Sequence, residues 1–287
     1  AFTTDSFVVT PLIFGNGDIG KIAVCGTVND LAVSGARPLY LTLSLIIEDG
    51  MPISELSAII ESVRDTAIAA DVKIVAGDTK VVGKGEADRL FINTAGVGVI
   101  ERAPVSIKNV RPGQKIILSG FIGNHSIHLL SLREGLGFER NILSDCAPLN
   151  AMIHQLIDAV PAGKIASMRD VTRGGLSAVL HEHARAAKHE MRCERQSLPI
   201  QPETAMAANM LGVDVINLAN EGCLCLFVEP DSAEDVLRLL KTHPLGQKAA
   251  IIGEVLATPE VRVSMLEQDG TVSTIEELYG AELPRLC

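Results

Sequence analysis

Apolar positions recur along the chain with two periods, and the switches between them mark out the elements. "AFTTDSFVV" reads as a strand, and "LYLTLSLII" is a nearly continuous apolar run, the pattern of a strand buried on both faces. Between them "NDLAVSGARP" reads as a helix end followed by a turn at Gly35–Pro38. Leu56, Ile59, Ile60, Val63 and Ala67 recur at i, i+3, i+4, i+7 and i+11, which predicts an amphipathic helix over 54–70. "VKIVAGDTK" is a short strand that Gly77 is expected to break, and "LFINTAGVGVI" is another strand.

The polar stretch "ERAPVSIKNVRPGQ", with Pro104 and Pro112, reads as a seam between two domains. Beyond it come the strand "KIILSG", helices near 124–134 and 147–159, the segment "IASMRDVTRGG" and the helix "LSAVLHEHARAAKHE". A helix near 202–210 and the strand "CLCLFVEP" follow. The next helix has Asp231 and Glu234 in capping-box spacing at its start and Pro244 as its stop. Strands near 249–256 and 260–266 and a turn at Asp269–Gly270 lead to the tail. The pattern predicts an α/β (α+β) protein with mixed sheets flanked by helices. Its units are an N-terminal domain over 1–103, a C-terminal domain over 104–277 and a tail over 278–287.

Composition narrows the partners. With 287 residues and 47% apolar content, the chain can fill two cores, and the apolar surplus predicts a homodimer formed through the N-terminal strands. The longest apolar runs are about half the roughly 18–20 residues of a membrane span, so no membrane is expected. A net charge of −10 without any Lys/Arg block argues against nucleic acid. It does not exclude a nucleotide, whose phosphates Mg²⁺ and one lysine can meet. Cys25, Cys146, Cys193, Cys223, Cys225 and Cys287 lack the spacing of a disulfide scaffold, as in a reducing cytoplasm, and no secretory leader is expected.

"GNGDIG" (Gly15–Gly20) matches G-x-G-x-x-G, but Pro11 and Asp5 interrupt the strand before it, so we read a glycine-rich turn over a dinucleotide loop. Asp5, Asp30 and Asp78 each lie at or within an apolar segment beside small residues. One such carboxylate is ordinarily a cap or turn former. Three in one half, with Lys80 beyond the last, offer hard oxygen ligands for Mg²⁺ and a cation for phosphate. "DVTRGG" (Asp170–Gly175) precedes a helix, so it is either an ordinary turn or a place where backbone amides meet an anion. "NLANEG" (Asn217–Gly222) is a polar island before a strand, and Glu221 is either a solvated loop residue or a general base. Cys223 and Cys225 alternate onto one face of a strand, and His181 and His183 point to different faces of a helix, which argues against structural zinc.

Together "TTDSFVVTPLIF", "GTVNDLAVSGARP", "VAGDTKVV", "INTAGVG", "RDVTRGG", "NLANEG" and the terminal "PRLC" resemble the HypE family of hydrogenase maturation proteins. That family belongs to the ATP-binding group of aminoimidazole ribonucleotide synthetase and selenophosphate synthetase. The likeness runs in matching order over nearly the whole chain, and the family's pattern would place a glycine-rich segment ahead of "AFTTDS". It implies a two-domain synthetase-like fold whose first domain binds ATP and metal and dimerises. It also implies carbamoyl dehydratase chemistry. Cys287 would accept a carbamoyl group from the carbamoyltransferase HypF, and ATP-dependent dehydration would convert the S-carboxamide to S-cyanide (thiocyanate). The HypC–HypD complex would pass the cyano group to the iron of [NiFe] hydrogenase.

By the same resemblance Asp5, Asp30 and Asp78 would hold Mg²⁺. Asp30, Asp78, Thr79, Thr172, Arg173, Gly174 and Gly175 would line ATP, and Lys80 would stabilise phosphate or the activated oxygen. Glu221 would be the base, with Asn217 or Asn220 orienting the amide. Extended, the stretch from Leu278 to Cys287 spans roughly 30 Å, and Arg285 can raise the thiolate fraction of the terminal thiol. The competing expectations are another kinase or synthetase of the same fold, such as thiamine-monophosphate kinase, and a nucleotide-binding scaffold whose tail only docks a partner.

Overall fold

Alternating side chains set the first sheet. In the computed structural model, which describes residues 1–102 and 105–278, β1 (Phe2–Phe7) turns Thr3, Asp5 and Phe7 inward and Phe2, Thr4 and Ser6 outward. β2 (Ile13–Phe14) and β3 (Gly17–Asp18) form a small hairpin ahead of α1 (Ile19–Val33). β4 (Ala36–Glu48) crosses through α2 (Ile53–Ala69) to its parallel neighbour β5 (Lys73–Val82), and β6 (Leu90–Ile100) runs antiparallel between β1 and β4. The sheet order is β1-β6-β4-β5.

Helix α2 buries Ile59, Val63 and Ala67, the face its periodicity announces. Helix α1 is buried on nearly every side, and its small residues allow that. A Cβ on Gly20 would lie 2.7 Å from the Ile59 carbonyl oxygen, and one on Gly26 would lie 2.8 Å from the Phe7 ring. Two expectations are corrected in this half. Gly77 does not break β5; its missing Cβ, which would sit 2.5 Å from the Leu43 carbonyl oxygen, lets the strand pass close to β4. Among the described residues of a single chain β4 is covered on one face only, where α1 and α2 pack: Leu41 and Leu45 are buried while Tyr40 and Ile46 are exposed.

The second half is built on β7 (Lys115–Leu118), α3 (Asn124–Glu134), α4 (Asn150–Ala159), β8 (Ile165–Asp170), α5 (Gly175–Ala187) and β9 (Met191–Glu194). It continues with α6 (Pro202–Leu211), β10 (Leu224–Val228), α7 (Ala233–Thr242), β11 (Ala250–Val255), β12 (Val263–Leu266) and β13 (Val272–Thr274). The strands make a mixed sheet in the order β13-β12-β9-β11-β7-β10-β8. Both faces are covered. Ile116, Leu118, Cys225 and Phe227 pack with α5, while Ile117, Leu224, Leu226 and Val228 pack with α4 and α7. The expected helix over 176–190 stops at Ala187, where Lys188 takes a left-handed conformation, and β9 follows unannounced by any periodicity. The capping box at Asp231 is absent: its carboxylate accepts from Lys164 and Ser232, and the cap position is Ser232, whose side chain makes no capping bond to the helix.

The halves share α1. Ala32 and Val33 join the core under α4 and α7, while Ile19, Ile22 and Cys25 pack with Leu129, Cys146 and Ala219. Ala103 and Pro104 of the expected seam lie outside the described residues. Among those described, no helix is long and apolar enough to cross a membrane.

Candidate active site

A cleft of about 340 Å³ opens where β1 and α1 face the β8–α5 turn, lined by Asp5, Asp30, Asp170 and Glu221 together with Arg169, Arg173 and Thr172. Asp5 faces inward because it shares the strand phase of Phe7, and its Oδ1 accepts from the Ser6 amide at 2.8 Å. Asp30 projects from α1 and its Oδ2 accepts from the Thr3 hydroxyl at 2.9 Å. Gly26 keeps this wall open, since a Cβ there would come 3.7 Å from Asp5 Oδ2 as well as striking Phe7. From the other half, Asp170 closes β8, and Gly174 and Gly175 follow with φ of +77° and +62° at the start of α5. No Cβ fits at Gly175, where it would lie 2.5 Å from the Ile216 carbonyl oxygen.

Acid outweighs base here. Five carboxyl groups, counting Glu182, face two guanidiniums. Burial raises the pKa of Asp5, and the charge of Asp30 adds to it against the Ser6 amide and Arg173. Burial likewise pushes Asp170 up to about 6, opposed by Arg169 and reinforced by Asp30 and Asp5. Glu221 lies well above the usual carboxylate range, first through burial and then through Cys146, Asp145, Asp170 and Asp5. Among the described residues Asp170 Oδ1 and Glu221 Oε1 are buried with no hydrogen-bond partner, and Arg169 lies 3.7 Å from Asp170 Oδ1. Buried unpartnered carboxylate oxygens in an acidic cleft are hard donors suited to a divalent cation. Among the described residues no group of three such side chains already converges in metal-binding geometry.

The other expected residues are placed as follows. Asp78, Thr79 and Lys80 lie exposed on β5, the edge of the sheet opposite β1, with Lys80 Nζ 3.8 Å from Asp78 Oδ2, and they do not line this cleft within one chain. Asn220 turns its Oδ1 to the Gly123 amide at 2.8 Å, away from the cleft. Asn217 sits outside it too, its Oδ1 buried without a partner among the described residues. Cys287 lies outside the described residues. "GNGDIG" forms the β2–β3 hairpin, and Asp18 caps α1 by accepting from the Lys21 amide at 3.0 Å. His183 stacks on Phe227 at 4.1 Å and bonds Ser167, while His181 bonds the Ile275 carbonyl. Sequence reasoning missed Asp170 and Arg169 as site residues. The signal was available for Asp170, an acid at the end of a strand and four residues before the Gly174–Gly175 pair that opens a helix.

Two family descriptions match the chain: AIR synthase related protein, N-terminal domain, over residues 1–100, and AIR synthase related protein, C-terminal domain, over residues 111–265. Carbamoyl dehydratase HypE of Escherichia coli strain K12 is 45% identical over 291 residues, covering 100% of this chain and 84% of that relative. A crystal structure of hydrogenase maturation protein HypE in complex with ATP superposes with a TM-score of 0.95 at 38% identity, covering 100% of this chain and 87% of that one. A crystal structure of a HypE–HypF complex gives 0.92 at 45% identity, with 96% and 90% covered.

Proposed function

Because this chain belongs to the HypE family of carbamoyl dehydratases, we propose that it dehydrates an S-carboxamide on Cys287 to the thiocyanate at the expense of ATP, for hydrogenase maturation. The observation that carries this is the cleft itself, where carboxylates from both halves meet around two unpartnered buried oxygens. A triphosphate brings further negative charge and cannot settle among them alone. Mg²⁺ held by Asp5, Asp30 and Asp170 would neutralise that charge and draw down the raised carboxyl pKa values. Arg169, Arg173 and the glycine-opened start of α5 face the phosphates with positive charge and backbone N–H groups. Transfer of the γ-phosphoryl group to the carboxamide oxygen releases ADP and the first N–H proton, and Glu221, shielded from water, then takes the second N–H proton as the C≡N bond closes and the oxygen departs as phosphate. The HypF carbamoyltransferase supplies the carbamoyl group, HypC–HypD receives the cyano group, and the reaction takes place in the cytoplasm.

Incubation with HypF, carbamoyl phosphate and Mg-ATP should add one carbamoyl group to the C-terminal peptide and then remove one water, as read by mass spectrometry. Asp30→Ala should keep the first change and lose both the second and its Mg-ATP affinity. A chain that binds ATP and is carbamoylated but never loses water is the scaffold of the competing reading.

We assign the outer face of the first sheet to a homodimer. Phe2, Val97 and Tyr40 are in direct register across β1, β6 and β4 and are 71%, 46% and 46% exposed, an apolar row that a second copy would cover. Asp78, Thr79 and Lys80, which do not line the acidic cleft of their own chain, would reach that of a second copy only across such a dimer. Val97→Asp should convert a dimer to a folded monomer in light scattering. A dimer that survives this substitution places the interface elsewhere.

A further inference from the structure

Among the described residues no group bonds Glu221 Oε1, so the aim of the carboxylate depends on its backbone, and that backbone is gripped from two sides. Asp145, in the loop before α4, spreads its carboxylate over two consecutive amides: Oδ1 accepts from Glu221 at 3.0 Å and Oδ2 from Gly222 at 3.2 Å. Gly222 lies so close that a Cβ would be 1.9 Å from the Asp145 carbonyl oxygen. Asn29 closes the grip from α1. Its Nδ2 donates to the Ala147 carbonyl at 3.2 Å and the Glu221 carbonyl at 3.5 Å, and its Oδ1 accepts from the Leu149 amide at 2.7 Å. Asn29 is 2% exposed and immediately precedes Asp30, so consecutive residues of one helix face the proposed cation pole and the base loop.

We propose that Asn29 and Asp145 are positioning residues that clamp the Glu221 peptide and fix the base against the Asp30 side of the cleft. The proposal rests on Glu221 acting as base. A displaced base costs rate while leaving nucleotide contacts intact, because neither clamp residue lies among those lining the cleft.

Asn29→Asp keeps the shape and the Leu149 contact but turns an acceptor oxygen toward two carbonyls. Asn29→Ser removes all three bonds without adding charge, and covers the case in which the first variant does not fold. Three quantities are measured: dehydration of the carbamoylated chain at saturating Mg-ATP, the half-saturating ATP concentration, and amide hydrogen exchange over residues 217–223. The expected result is faster exchange in that segment, dehydration slower by on the order of 10–100-fold, and half-saturation little changed. Unchanged exchange overturns the proposal, as does dehydration at near the unsubstituted rate despite faster exchange. Parallel loss of ATP affinity and melting temperature in both variants shows a structural contact only and also overturns it. Exchange is read without turnover, so an unsubstituted chain that never dehydrates counts against the proposed reaction while exchange still decides the clamp.

Discussion

Glu221→Gln binds Mg-ATP, accepts the carbamoyl group and then stalls as the S-carboxamide, with dehydration slower by roughly 10²–10⁴-fold. Glutamine keeps the length and planarity of the side chain and fits the same buried space, but it cannot take a proton. Substitution does not threaten the fold, because burial already favours the uncharged form of Glu221. The pH dependence separates this loss from a structural one. A base with a raised pKa gives an acid limb above the ordinary carboxylate range, and the residual rate of the variant should lack that limb. Conversion to thiocyanate at near the unsubstituted rate would remove Glu221 from the chemistry.

Asp170→Asn should weaken Mg-ATP binding at least tenfold and make the ligand-free chain more stable at neutral pH. Its folded pKa of about 6 lies above the ordinary 3.8, so the fold resists its ionisation. An acid raised in this way costs nothing while both states are protonated, below about pH 4. The cost grows as pH rises toward 6 and is complete above it. Two units correspond to on the order of 3 kcal/mol. Removing the charge should raise the melting temperature at pH 7.5 by roughly 5 °C, with the gain shrinking at pH 4.5. A variant that melts lower at neutral pH, or that binds Mg-ATP as before, refutes this account. The trade is the one expected of a site kept poor in counter-charge for a ligand.

Local pattern was enough for much of the fold. Ile59, Val63 and Ala67 announce α2 through their spacing, and the inward phase of β6 is legible in Leu90 and Ile92. It was not enough for β9, whose "MRCE" mixes charge and burial because its paired residues lie 60 to 64 and 72 positions further on. Among the acids, Asp5, Asp30 and Asp78 carry the same local signature. The sheet order separates them, placing Asp78 three strands from β1 on a free edge, and strand order is a long-range property. Asp170 was hidden inside a motif read for its glycines. Asp145 has no local mark at all, since its partners are amides 76 and 77 residues away.

The burial of α1 has a mechanical consequence. Two-domain enzymes commonly admit substrate by swinging their halves about a linker. Here the halves cannot part without baring a helix whose residues fill cores on both sides, from Ile19 and Ile22 to Ala32 and Val33. Opening would expose apolar surface at roughly 25 cal/mol per Å². The shared helix therefore favours a cleft whose walls stay together, with reactants carried to it.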